Sequence, residues 1–370
     1  MTTLAERGAL ISAWAAVSPW GPDATGFRAG SHGALDTEAA VDTERWTVPQ
    51  PTACLVPDFD TRRSLGRKGT RSMDRATGLA VTALGQLVGG QDRLPGIGPD
   101  TGLALGTSTG SAQSIMDFTR DSLVGAKPFF VDPARFPNTV MNCAAGQSAI
   151  WHGLKGPNTT IAGGRATGLL ALQYALRLHR AERAPTVLCG AVEEYSTARA
   201  WLDWHARGGA PGDTPLGEGA AVWLVETADT AREHGRNGLA TVEGLEFGFA
   251  ADPEDIRTVL AECLRTLRER GGTGPEDLWA VATSQVPGPE GEAERAALDE
   301  VWADAAPRTL PCAELIGDTY AASAAFQVTT VLAEAERDAS SAGRTALVTS
   351  VERDGVVAAG LFRLLGGAER

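Results

Sequence analysis

TGLLALQYALRLHRAERAPTVLC, residues 167–189, decides how this chain is read. The segment 167–183 reads as a long amphipathic helix, and TVLC (186–189) as a short buried strand. A second apolar strand, AAVWLVE (220–226), follows after a break. The same order of helix, strand, turn and strand returns near the other end. There an Ala-rich helix over 321–337 precedes ALVTS (346–350) and VVAAGLFRL (356–364). Such a recurrence predicts an internally duplicated βαβ-type unit and an α/β fold.

Working outward, the first copy gains a helix over 73–87, a buried strand GLALG (102–106), a helix from about 112 and a short strand over 159–162. The second copy gains the strand LWAVAT (278–283), a Pro/Gly-rich turn and a Glu/Ala-rich helix. Residues 1–75 show no clear pattern, and 228–246 reads as a bridge. The division predicted is therefore an N-terminal half over 1–227 and a C-terminal half over 228–370.

Composition narrows the function. The chain has 370 residues, 43% of them hydrophobic, and a chain near that length buries roughly 75% of its unfolded surface. Its net charge is −13, from 33 basic and 46 acidic side chains. Nucleic acid is not an expected partner, because phosphate binding needs a basic footprint. No apolar run approaches the ~20 residues of a membrane span. The opening MTTLAERGALISAWAAVSPW lacks a basic n-region and a small-residue cleavage site, so no secretory signal is expected. Five cysteines (54, 143, 189, 263 and 312) are scattered and form no CxxC. Disulfides and zinc are not expected, and a reducing cytoplasm fits best. The five histidines show no ligand spacing, so the expectation is no metal and no cofactor.

Five words of the sequence now combine: PFF (128–130), PN (137–138), AAGQSAIWHGLKGPN (144–158), PLGEGAAVWLVE (215–226) and GDTYAASAAFQ (317–327). Together they resemble the β-ketoacyl synthase branch of the thiolase-like proteins. The resemblance implies a thiolase-like, five-layered αβαβα fold made of two similar halves, and a dimer built through residues 138–162. On that basis Asn138, Cys143, Gln147 and Trp151 are expected at or near the interface. It also implies decarboxylative condensation of acyl chains held on an acyl carrier protein. That chemistry uses a Cys nucleophile at a helix start, where its pKa falls and backbone N–H groups hold the oxyanion. Two His stabilise the enolate, and a Lys lies close by.

Carried over position by position, this machinery is missing. The Cys position falls on Arg165, whose guanidinium cannot act as a nucleophile. The two His positions fall on Ser284 and Asp318, and the Lys position on Ala313. A glycine-rich loop of the family is replaced by Val351-Glu352-Arg353-Asp354. The flanking words still match. In the implied fold the Cys and second His positions touch, so an ion pair of Arg165 with Asp318, or with another nearby acid, is predicted. Other candidates read as structural: Cys143 and Cys189 as buried thiols, and His152 and His179 as surface or capping residues. The adjacent Glu193 and Glu194 point apart along a strand, which argues against a paired-carboxylate site.

The pattern resembles the chain length factors of type II polyketide synthases, the non-catalytic β subunits that pair with a true ketosynthase α subunit and share its acyl tunnel. These often carry Gln at the Cys position, where this chain has Arg165. A reducing, polyene-type pathway is compatible. The resemblance places the helix from residue 112 against the tunnel, with Gln113, Met116 and Arg120 on one face as gates. Two other readings compete. One is a malonyl carrier-protein decarboxylase for priming, which dispenses with Cys but needs the His groups. The other is a thiolase-fold scaffold or binding protein without a synthase partner.

Overall fold

A computed structural model describes residues 9–89 and 93–366. The first stretch runs β1 (Ala9–Val17), α1 (Ala24–Gly33), β2 (Ala39–Ala40), β3 (Thr52–Ala53), α2 (Thr61–Leu65), α3 (Arg75–Val88) and β4 (Gly102–Gly106). Next come α4 (Ala112–Val124), α5 (Cys143–His152), β5 (Asn158–Ile161), α6 (Thr167–Arg180), β6 (Thr186–Glu193), α7 (Thr197–Ala206), β7 (Gly219–Thr227) and α8 (Ala228–Glu233). The second stretch runs β8 (Ala240–Phe249), α9 (Ile256–Gly271), β9 (Leu278–Ala282), α10 (Pro289–Val301) and β10 (Arg308–Thr309). It ends with α11 (Ala313–Ile316), α12 (Ser323–Arg337), β11 (Thr345–Val351) and β12 (Val356–Leu364).

Among the described residues ten strands hydrogen-bond in the order β10-β9-β11-β12-β8-β1-β7-β6-β4-β5. β1 is the seam. It pairs antiparallel with β7 along nearly its whole length, but with β8 only at Leu10 and Ile11. The strands are buried on both faces, and the period-2 alternation sends successive residues into different cores. In β6, Val187, Cys189 and Ala191 meet the central helices, while Leu188 and Val192 meet α3 and α5. α6 and α12 lie in one core with residues from both halves of the sheet. α9 and α10 cover the far face of the second half. The result is the thiolase-like order of helix, sheet, helix, sheet and helix layers.

Local chemistry corrects several sequence expectations. α3 begins at Arg75 rather than 73, because the Asp74 side chain accepts from Thr77 N and caps it. α12 is preceded by a 3₁₀ turn, Tyr320–Ala322. The 228–246 bridge is in part strand: Ala240, Val242 and Gly244 alternate inward within β8. His152 and His179 are not surface groups. Their Nε2 atoms contact the carbonyls of Val81 at 3.0 Å and Val225 at 3.1 Å, and burial lowers both pKa values.

The two central helices touch at Gly168 of α6. A Cβ built there would lie 2.5 Å from the backbone nitrogen of Ala325 in α12. Gly168→Ala therefore sets a helix-propensity gain of about 1 kcal/mol against overpacking of about 1–3 kcal/mol. The expected outcome is net destabilisation in urea unfolding. A stabilised variant would mean that the two helices do not cross this closely.

Candidate functional site

Arg165 sits in a 3₁₀ turn, Gly164–Ala166, that leads into α6. Gly164 has φ +57°, a left-handed backbone that glycine adopts without strain, and this turn aims the Arg165 side chain inward. Asp318 precedes the matching turn before α12. Gly317, at φ +78°, and the bonds of Asp318 N to the Pro215 carbonyl (2.7 Å) and Gly217 N to the Asp318 carbonyl (2.9 Å) fix its backbone.

The two side chains meet in a bidentate pair. Arg165 Nη1 donates to Asp318 Oδ1 at 2.7 Å and Nη2 donates to Oδ2. The side chains are 11% and 7% exposed. A second carboxylate completes the arrangement: Glu352 Oε2 lies 3.6 Å from Arg165 Nε and accepts from Arg165 N at 3.3 Å. Tyr320, at φ +41°, turns its N–H onto Asp318 Oδ1 at 2.9 Å. Burial alone would push the Asp318 carboxyl up, but the Arg165 charge and its hydrogen bonds overcome this and hold it at about 2. The same carboxylates hold the Arg165 guanidinium above its ordinary value despite its burial. Both groups are thus locked in their charged forms, and neither can exchange a proton near neutrality.

The other carried-over positions offer no chemistry. Ser284 donates through Oγ to Glu294 Oε2 at 2.6 Å and through its backbone N to Oε1 at 3.0 Å, while Thr349 Oγ1 also donates to Glu294. Ala313 is buried, and its side chain carries no polar atom. Arg165, Arg199, Asp318, Glu352, Ser108 and Leu202 line a cavity of about 330 Å³, which places guanidinium and carboxylate groups side by side. All five cysteines are buried. Burial pushes Cys143 to about 11 and Cys312 to about 12, so neither supplies a thiolate near pH 7. Among the described residues no group of three His, Cys, Asp or Glu is placed to hold a metal ion.

The tunnel candidates differ from one another. Met116 is 51% exposed on α4. Arg120 is exposed and paired with Asp117 and Asp121. Gln113 is not a free gate: its Nε2 donates to Asp117 at 3.1 Å and its Oε1 accepts from Ala198 N at 3.0 Å. The interface candidates need a correction. Asn138 and Cys143 are buried within their own subunit, where Cys143 Sγ contacts Asn138 Oδ1 and Asn138 Nδ2 donates to the Ser72 carbonyl at 2.6 Å. Gln147 and Trp151 are half-buried on α5. Glu352 and Glu294, which the sequence reading gave no role, are the acids that settle the site. Their partners lie 187 and 10 residues away, with no local motif linking them.

Residues 51–231 match the family Beta-ketoacyl synthase, N-terminal domain. A Streptomyces halstedii protein assigned as polyketide beta-ketoacyl synthase 2 is 29% identical, over 90% of this chain and 86% of its own length. The solved structure of the ishigamide ketosynthase/chain length factor is 42% identical and superposes with a TM-score of 0.89, covering 97% of this chain and 100% of that one. This chain belongs to the β-ketoacyl synthase family. A type II polyketide acyl-carrier protein complex with its ketosynthase, 16% identical at a TM-score of 0.77, shares the fold. In this ketosynthase fold, the Arg165–Asp318 ion pair lies where the two central helices begin. Among the described residues no helix is long and apolar enough to cross a membrane.

Removing one partner of a buried pair strands the other charge. Arg165→Ala is expected to cost about 3–5 kcal/mol in urea unfolding, whereas the joint change to Arg165→Met and Asp318→Leu recovers most of it. The folded pKa of Asp318, about 2, lies below the roughly 3.9 of an unfolded Asp. Its stabilisation is therefore complete above about pH 4 and is lost as pH falls toward 2. The double variant should show a shallower decline of stability across that window, and an unchanged acid limb would contradict the pairing.

Proposed function

We propose that this chain is the non-catalytic, chain-length-setting subunit of a type II polyketide ketosynthase. It pairs with a catalytic ketosynthase that takes its acyl chains from an acyl carrier protein, and it works in the cytoplasm. The observation that carries this reading is the bidentate Arg165–Asp318 pair: where the resemblance puts the nucleophile, it sets two groups that cannot attack a thioester. The similarity to a ketosynthase/chain length factor structure supports it. A decarboxylase reading finds less support, because Ser284 is turned onto Glu294 and no imidazole stands at either His position.

An exposed apolar face supports a partner. Of the fourteen large hydrophobic side chains exposed among the described residues, nine lie between Met116 and Ile150. They include Phe129, Phe130, Phe136, Met141 and Ile150, the last 76% exposed. An apolar concentration of this kind marks an association surface. β5 adjoins it in sequence, lies at the edge of the sheet and, among the described residues, pairs only with β4, so its outer backbone groups are open to another chain. The interface proposed here is thus centred on exposed Met141 and Ile150 and on half-buried Gln147 and Trp151, with Asn138 and Cys143 supporting it from behind.

Co-expression with the ketosynthase is expected to give a stable 1:1 complex. The joint change Met141→Asp and Ile150→Asp should weaken assembly by about 2 kcal/mol or more, roughly thirtyfold in Kd, with an unchanged circular dichroism spectrum. A complex that forms with wild-type affinity would remove this face from the interface. Met116→Trp in the intact heterodimer is expected to shorten the product at a similar initial rate. Unchanged product length would take Met116 out of the tunnel.

A further inference from the structure

Glu194 has no part in the vestigial site, yet it is buried at 1% exposure at the end of β6. The Glu193–Glu194 pair does point apart, and each acid has its own target. Glu193 accepts from Ser108 Oγ at 3.0 Å, next to the cavity. Glu194 reaches the opposite way, to the first turn of α4. Its Oε1 accepts from Gln113 N at 3.2 Å, and its Oε2 lies 3.1 Å from Ser111 Oγ, the N-cap hydroxyl of that helix. Asp74, the cap of α3, faces the same Ser111 hydroxyl. Burial, together with the nearby Asp74 charge, raises Glu194 to about 8. Near neutrality it is therefore mainly a protonated acid, which an amide can imitate.

The mechanical setting gives this contact its importance. α4 has thirteen residues, and only Ala112 in its first turn is buried. A helix normally takes its direction from an apolar face packed on a core. α4 lacks one, so its direction depends on its root. There Glu194 holds Gln113 N and Ser111, while the Gln113 side chain reaches Ala198 N at the start of α7. Beyond its packing against α7, α4 rests on the surface turn Pro133–Thr139, through Phe118 against Phe136 and Arg135 near Asp117 and Asp121. At 1.5 Å per residue, Met116 stands only about 5 Å along the axis from that root, and a change of angle at the root displaces every side chain beyond it.

We propose that Glu194 is a positioning residue for chain length: it never touches the acyl chain, but it fixes the direction of α4 and so the place where Met116 stops the growing product. This rests on the reading of α4 as the tunnel-facing helix given above. The closest earlier candidate, Gln113, acts in the same clamp rather than as a gate.

The test uses the reconstituted heterodimer with Glu194→Ala and Glu194→Gln, and with Met116→Trp as a separate reference. Two readouts are taken: amide hydrogen exchange across residues 112–124, and the distribution of product lengths at matched malonyl consumption. For Glu194→Ala, faster exchange in that segment is expected. The share of wild-type-length product should fall about fivefold, the factor that one net hydrogen bond carries, with the initial rate little changed. Glu194→Gln, which keeps shape and acceptor, should restore both readouts. If exchange is unchanged in Glu194→Ala, Glu194 does not hold α4 and the proposal fails. If α4 loosens but product length stays fixed while Met116→Trp still shortens it, Glu194 is only a structural contact and the proposal again fails. If neither variant alters length although α4 loosens, the tunnel reading itself is overturned, and with it the effect assigned to Glu194.

Discussion

The Arg165–Asp318 pair is the constraint around which the centre of this molecule is organised. A guanidinium buried beside two helix starts would be unstable alone, because helix N-termini already carry partial positive charge. Neither α6 nor α12 has a side-chain cap of its own. The acids near the pair take over that work. Glu352 accepts from Arg165 N just before α6, and Asp318 accepts from Tyr320 N just before α12. Two carboxylates thus balance one guanidinium and two helix termini. Because each half of the chain contributes one member, the pair also ties the halves together where their central helices begin.

On the proposed reading, this arrangement gives up the family's chemistry while keeping its fold. The ketosynthase scaffold normally spends the positive end of a central helix on lowering a thiol pKa and holding an oxyanion. Here the same electrostatic environment is used to seat carboxylates against a fixed cation. Restoring a thiol at residue 165 would leave Asp318 buried without its partner and would still supply no imidazole. On the proposed reading, inactivity is spread over several positions, with the Arg165–Asp318 pair buried in the structural core.

Much of the architecture was legible in the sequence because duplication and buried strands leave strong local patterns. The helix at 167 and the strands at 186 and 220 are repeated by 321–364, and alternation within each strand reports which core it meets. The Arg165–Asp318 pair could be read from those two positions only after the surrounding words fixed their place in the fold. What was illegible depends on distance in sequence. Nothing near residue 165 announces Glu352, and nothing near Ser284 shows that its hydroxyl turns away onto Glu294. The burial of Asn138, Cys143, His152 and His179 depends on how elements stack, which periodicity within one element does not encode. The contact of Gln113 Oε1 with Ala198 N joins two helices, and no pattern within α4 shows it.

On the proposed reading, acyl transfer in the complex passes entirely through the partner. Intact-protein mass spectrometry of the purified heterodimer, after exposure to an acyl-loaded carrier protein, tests this directly. The expected result is one acyl group on the ketosynthase subunit and no mass gain on this chain. An acyl adduct on this chain, removable by hydroxylamine and mapped to any of its five cysteines, would contradict it.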